Sequence, residues 1–311
     1  MSTPKYRSQV LLLLDILPAV ADEECFALHG GTAINLFVRD MPRLSVDLDL
    51  TYLLIEDRGA TLANIIVALR SIQTRITAKS PSIRITIDTD RFKLLCSRQG
   101  IQVKIEVNTT MRGALGAPKM RVLSEKTQST FDRFAEMRIM PLGQVYGGKI
   151  CAALSRQHPR DLFDIKYMLQ NSGFDDEIKR GFLLCLLSGE RPIHEMLRPA
   201  LLDQQATMEH HFAGMTEEPF GYAQFEETRN TLIAVIHNRL TETDREFLIS
   251  FKNGSPEWDQ YSFADFQRFP AVQWKLQNIR KLKETNGSKH RGQLEALKAS
   301  LSAVTFEPGA S

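Results

Sequence analysis

Asp47 and Asp49 stand two residues apart in a stretch where polar Ser45, Asp47, Asp49 and Thr51 alternate with apolar Leu44, Val46, Leu48 and Leu50. On a strand that spacing projects both carboxylates from one face, where they can converge on a hard cation such as magnesium. A two-metal site needs another acidic ligand from a neighbouring strand. The run Ile101 to Asn108 offers it, because Ile101, Val103, Ile105 and Val107 turn inward and leave Lys104 and Glu106 on the open face. Upstream, Gly30-Gly31-Thr32 opens a helix, whose bare N–H groups, hydroxyl and dipole suit phosphate oxygens. Arg43 and Ser45 follow in a short loop and join the nucleotide-binding set. A wet strand face also yields Asp-x-Asp, and Gly-Gly is commonly only a turn. It is the joint order of these pieces that favours a two-metal nucleotide-transfer site.

These residues need elements to hold them. Leucines at helical spacing predict a helix over Tyr6 to Val20, and a second helix starts near Gly30 and runs through Ala33, Leu36 and Phe37. A half-buried strand spans Leu44 to Tyr52, and a helix passes through Leu62, Ile65, Ile66 and Leu69. Strands Ile83 to Asp88, Phe92 to Ser97 and Ile101 to Asn108 come next, with Gln99-Gly100 as the hairpin turn. Strand signals fade after the loop at Gly113 to Pro118, and from Pro141 the chain reads as helices with breaks at Asn171-Ser172-Gly173 and Asn253-Gly254-Ser255-Pro256. A basic helix follows over Val272 to Lys283, and the stretch after Thr305 reads as frayed. The fold class is α/β (α+β): an α/β domain of residues 1–140 with a mixed sheet flanked by helices, then a mostly α-helical domain of residues 141–311.

With 311 residues, 43% hydrophobic and 24% charged, the chain has the composition of a folded globular protein rather than a disordered one. The net charge of +2 gives no bulk attraction to nucleic acid, so any such contact needs a local patch. Val10 to Leu14 is too short for a membrane span and lacks the features of a signal peptide, so a cytoplasmic location is expected. Cys25, Cys96, Cys151 and Cys185 are scattered and read as reduced, buried and inert. His210-His211 has no accompanying ligand pattern, His29 reads as packing, and a Ser-His-Asp mechanism has no supporting motif.

The run HGGTAINLFVRDMPRLSVDLDL resembles the first motif of the AbiEii/AbiGii toxin family of nucleotidyltransferases, a branch of the DNA polymerase β-like superfamily. A second stretch, from Gly147-Gly148-Lys149 through Arg156 to Arg160-Asp161-Leu162-Phe163-Asp164, is similar to that family's later motifs. The resemblance implies a metal-dependent enzyme of the nucleotidyltransferase type, with the helical domain completing the active site. By the same resemblance one of Asp161 and Asp164 is catalytic, whereas the plain reading makes Asp161 an N-cap and Asp164 a partner of Arg160 or Lys166. Lys149 and Arg156, seven apart, share a helix face suited to substrate phosphates. Lys104 is similar to a basic residue in the strand motif of relatives, although an exposed lysine on a strand is commonly a solvated face.

The expected reaction is in-line attack by an acceptor hydroxyl on the α-phosphate of a nucleoside triphosphate. Asp47, Asp49 and Glu106 would hold two Mg2+ ions, or Mn2+ in their place, while Gly30, Gly31, Thr32, Arg43, Ser45, Lys149 and Arg156 hold phosphates. The resemblance points to the toxin of a bacterial toxin-antitoxin (phage-defence, abortive-infection) pair, with RNA, tRNA in some relatives, as acceptor and a separate antitoxin encoded nearby. The alternatives are transfer to a protein side chain or small molecule, and a non-catalytic binding protein of the same fold. Arg280, Lys281, Lys283, Lys289 and Arg291 are the cations best placed to guide RNA, against a plain reading as a solvated helix face. Trp258 and Trp274 read as core or docking residues.

Overall fold

The structure, a computed structural model, describes residues 4–302; the expectation for the stretch after Thr305 lies outside the described residues. The chain divides into two compact units. One runs through Val145 and takes in His210–Pro219, and the other comprises Tyr146–Glu209 and the chain from Phe220 onward.

In the first unit the leucine spacing gives α1 (Pro4–Ala21), with Val10, Leu13, Leu14 and Leu17 buried. Strand β1 (Phe26–His29) leads directly into α2 (Gly30–Thr32), so the expected helix does start at the glycines. It does not continue as α-helix. Ala33–Val38 forms a wider π-turn, in which the Arg39 N–H reaches back five residues to the Ile34 carbonyl at 2.8 Å. There follow β2 (Asp47–Tyr52), α3 (Arg58–Lys79), β3 (Arg84–Asp88), β4 (Lys93–Arg98), β5 (Ile101–Asn108), β6 (Lys119–Val122), α4 (Glu125–Phe131) and β7 (Glu136–Ile139). Asp57 caps α3 by accepting from the Ala60 N–H, and Ser124 caps α4.

The seven strands form one mixed sheet in the order β3-β4-β5-β2-β1-β7-β6. β2 lies between β1, antiparallel to it, and β5, parallel to it. Leu48, Leu50, Val103, Ile105 and Val107 are buried, and α1 packs on β5 and β7 while α3 packs on β3 and β4. Alternation then turns Asp47, Asp49, Lys104 and Glu106 away from that core.

Two expectations are corrected here. The strand expected from Leu44 begins only at Asp47, because the Leu44 N–H is taken by the Met215 carbonyl at 2.7 Å and Arg43 bridges Thr216. Strand signal does not end at Pro118 either: β6 and β7 complete the sheet, each only four residues long and too short for a periodicity to declare itself.

The second unit is helical: α5 (Leu142–Arg156), in this unit from Tyr146 on, then α6 (Pro159–Asn171), α7 (Asp176–Ser188), α8 (Ile193–Leu197), α9 (Gln205–Thr207), α10 (Tyr222–Arg239), α11 (Glu242–Lys252), α12 (Pro270–Thr285) and α13 (Gly287–Ser302). α6 packs on α10, and α12 on both α7 and α13. At Gly147 a Cβ would come within 2.3 Å of the Gly181 backbone, so that motif glycine serves a close crossing of α5 with α7. Asp244 is a buried hub that accepts from Lys179 at 3.1 Å and from the Tyr261 hydroxyl at 3.0 Å.

Trp258 is partly buried against Phe247 and Phe251, whereas Trp274 is 57% exposed, so a core role holds for neither in full and fails for Trp274. None of the four cysteines is in a disulfide; Cys25 and Cys151 are partly exposed rather than buried as expected. Burial pushes the Cys25 thiol up to about 11 and Cys96 up to about 12, which keeps both protonated at neutral pH. Among the described residues no helix is long and apolar enough to cross a membrane.

Candidate active site

In the first unit the sheet and the glycine turn are locked together at Asp49. Gly30 has φ +73°, and a Cβ there would lie 2.5 Å from Asp49 Oδ2. Gly31 is also tight against its neighbours, with an added Cβ 2.8 Å from Arg43 Nη2 and 3.0 Å from Ser45 Oγ. The glycines therefore let the start of α2 settle directly onto the carboxylate strand and its approach loop. Thr32 Oγ1 donates to the Asp47 carbonyl and lies 3.0 Å from Ser45 Oγ, which ties the helix start to the entry of β2. Arg43 is 3% exposed and donates to the Leu44 carbonyl. All seven residues, Gly30, Gly31, Thr32, Arg43, Ser45, Asp47 and Asp49, are thus assembled locally.

Sheet register extends the set. His29 is opposite Asp49 across β1, and Glu106 is opposite Asp49 across β5. Lys104 is opposite Asp47 and its Nζ lies 2.6 Å from Glu106 Oε2. Burial by itself would lower the Lys104 ammonium, but Glu106, Asp47 and Asp49 outweigh it and hold the group above the ordinary lysine range. Among the described residues no three His, Cys, Asp or Glu side chains are gathered closely enough to enclose an ion. The donor chemistry fits a hard divalent cation all the same: every candidate ligand is a carboxylate oxygen on one sheet face, and Glu106 is held by a lysine rather than buried in the core.

The second unit brings together its own four residues. Lys149 Nζ, 6% exposed, is 2.9 Å from Asp161 Oδ1 and 3.0 Å from Asp164 Oδ2. Arg156 grips Asp161 with two nitrogens, Nε to Oδ2 at 2.6 Å and Nη2 to Oδ1 at 3.1 Å, while its side chain stays 60% exposed. Burial would raise the Asp161 carboxyl, but Lys149 and Arg156 outweigh it and hold it well below the usual carboxylate range. The plain expectation of Asp161 as an N-cap is corrected, since His158 caps α6 through its Nδ1, and Asp164 forms an ion pair with Lys149. Pro159 at the first helical position was the available signal, since it marks the residue before it as the cap.

Sequence reasoning also missed the returning segment His210–Pro219. Its Met215 carbonyl and Thr216, whose hydroxyl donates to the Pro42 carbonyl at 3.0 Å, hold the loop that carries Arg43 and Ser45. Thr51 was missed as well; its hydroxyl pairs with His29 Nδ1 at 3.1 Å. Gly30→Ala tests the local assembly. It should cost about 1–2 kcal/mol of stability from the left-handed backbone alone and displace Asp49 besides, read as a fall in the urea midpoint together with lost activity. An unchanged midpoint would show that the close contact is not formed.

A mixed sheet that sets an Asp-x-Asp strand against a glycine-started helix fits a nucleotide-transferring class of enzyme, a nucleotidyltransferase. The comparisons specify which. A family model described as "Nucleotidyl transferase AbiEii toxin, Type IV TA system" matches residues 11–278, and the chain belongs to this family of nucleotidyltransferase toxins. Among solved structures it is similar to MenT4, nucleotidyltransferase toxin Rv2826c from Mycobacterium tuberculosis H37Rv, with a TM-score of 0.58 and 14% identity over 97% of this chain and 96% of that one. That likeness is one of fold. No curated protein matches.

Proposed function

We propose that this enzyme transfers a nucleoside monophosphate from a nucleoside triphosphate to a hydroxyl of an RNA acceptor, with tRNA the first class to test. It would act as the cytoplasmic toxin of a toxin-antitoxin pair that serves phage defence. The observation that supports this most is the packing of Gly30 on Asp49, with an added Cβ only 2.5 Å from Asp49 Oδ2, because backbone N–H groups at a helix start suit phosphate oxygens.

Asp47 and Asp49 are the proposed ligands for Mg2+, joined by Glu106 once Lys104 releases it. When bound, divalent ions supply charge neutralisation at the triphosphate and a lowered pKa for the attacking hydroxyl. Gly30, Gly31, Thr32, Arg43 and Ser45 orient the phosphates through backbone N–H groups, hydroxyls and a guanidinium. The acceptor oxygen forms a bond to the α-phosphorus as the bond to the pyrophosphate oxygen breaks, and the hydroxyl proton passes to solvent. Lys149 and Arg156 are proposed as further phosphate-facing cations on the order of the motifs, with Asp161 and Asp164 holding Lys149 in place. Of these two cations Arg156, with its exposed side chain, is the better fitted to reach a ligand. The antitoxin is proposed as a separate protein encoded beside the toxin.

The test is incubation of the purified protein with each labelled nucleoside triphosphate, Mg2+ and total RNA or total protein, followed by separation of the products. Label in an RNA band that depends on the metal is the expected result. Label in protein or in a small molecule would replace the acceptor, and no label in any fraction would remove the reaction.

A further inference from the structure

Helix α12 carries its tryptophan on the wrong side for a core residue. Ala271, Val272, Lys275, Leu276 and Ile279 are buried, and Trp274 lies with Gln273, Gln277, Asn278, Arg280 and Lys281 on the exposed face. A tryptophan has 150–250 Å² of largely apolar surface to hide, yet Trp274 leaves 57% of its own in water. It borders a groove of about 420 Å³ lined by Pro270, Gln273, Trp274, Gln277 and Arg280, a volume in the roughly 300–1,000 Å³ range of ligand clefts.

The exposed charge of the helix that lines this groove is mainly positive. α12 exposes Arg280, Lys281 and Lys283 against Glu284, an excess of two cations on this one helix in a chain whose net charge is +2. The platform is also firmly held. Lys275 Nζ, next to Trp274, donates to the carbonyls of Leu186, Gly189 and Arg191 at 2.7–2.9 Å and so pins α12 to the end of α7. Arg280, which lines the groove, donates through Nε to the Gly254 carbonyl at 2.8 Å, and Lys283 donates to the Asn253 carbonyl at 2.9 Å.

We propose that this face of α12 is a binding site for single-stranded RNA, with a base stacked on the Trp274 indole and the backbone following Arg280 and Lys281. An indole accepts the face of any base, glutamine amides reach base edges, and lysine and arginine neutralise phosphates. Trp274 and Lys281 are seven residues apart, about 10 Å along the helix, which suits a short run of nucleotides. A duplex offers no free base face, so the site selects unpaired RNA. The inference rests on RNA as the acceptor and names where that RNA is held.

The chain has two tryptophans, so Trp258→Phe leaves Trp274 as the sole reporter. Titration of that variant with oligo(A), and separately with an RNA duplex of equal length, should quench the indole fluorescence with the single strand alone and weaken steeply as salt rises. In the otherwise native protein Trp274→Ala should lower affinity for oligo(A) about tenfold or more, in line with the worth of one stacked base, while Trp274→Phe keeps most of it. Unquenched fluorescence, equal binding of the duplex, or an indole that responds only to a protein partner overturns the inference. The outcome separates from that of the transfer assay. RNA labelling with unaltered Trp274→Ala binding removes this site and keeps the reaction, whereas quenching without RNA labelling keeps the site and removes the acceptor.

Discussion

Asp49→Asn lowers metal-dependent nucleotide transfer by about 10²–10³-fold, the scale on which removing one preorganised charge-stabilising group acts, and leaves the fold intact. Asparagine fills the same volume against Gly30 and keeps the strand register with His29 and Glu106, so packing is conserved while a formal charge is lost. Asp49 is only partly buried on the sheet face turned away from the core, which is why thermal stability should move little. Single-turnover rates with saturating nucleotide and Mg2+, beside a melting curve of the same preparation, give the answer. Retention of more than about a tenth of the rate, with the melting curve unchanged, would remove Asp49 from the metal-binding pair. Loss of both together would make Asp49 structural instead.

Lys149→Met should cost about 3–5 kcal/mol of stability, the usual penalty for removing one partner of a buried ion pair. The change takes from Asp161 one of its two cations and from Asp164 its ion pair, with both carboxylates about 1% exposed. Combining Lys149→Met with Asp164→Asn should recover part of the loss, since the second change removes the charge left behind. Acid sensitivity follows from the same contacts. The Asp161 carboxyl is held below its unfolded value, so its contribution is present in full above about pH 4 and is lost as the pH falls towards the depressed value. Lys149→Met should therefore flatten the acid limb of the stability profile, measured by denaturant melts from pH 6 downward. An unaltered midpoint at neutral pH would contradict the buried network.

What the sequence made legible was local. The period-two alternation around Asp47 and Asp49 located β2, and β5 begins and ends at Ile101 and Asn108 as expected, because each strand has one face on the core and one away from it. The Gly30 turn was legible because few residues other than glycine tolerate that backbone beside a carboxylate. What stayed hidden was non-local or too short. Four-residue strands such as Lys119–Val122 have no period to read, and a π-turn at Ala33–Val38 has the same residues as an α-helix. Lys149 meeting Asp161 and Asp164 is a contact across two helices, and the pairing of Leu44 with Met215 joins residues far apart in the chain, so neither leaves a local pattern.

That last pairing has a consequence for how the toxin is made. The loop bearing Arg43 and Ser45 is tied down by the Met215 carbonyl and Thr216, so the sheet unit that emerges first from the ribosome waits for a strap synthesised much later. At elongation speeds of roughly 5–20 residues per second, the interval between Val145 and Pro219 is roughly 4–15 s. Through that interval the nascent chain carries the carboxylate strand without the clamp on its phosphate loop, and a ribosome-bound fragment ending before Met215 should be harmless to the cell that is translating it.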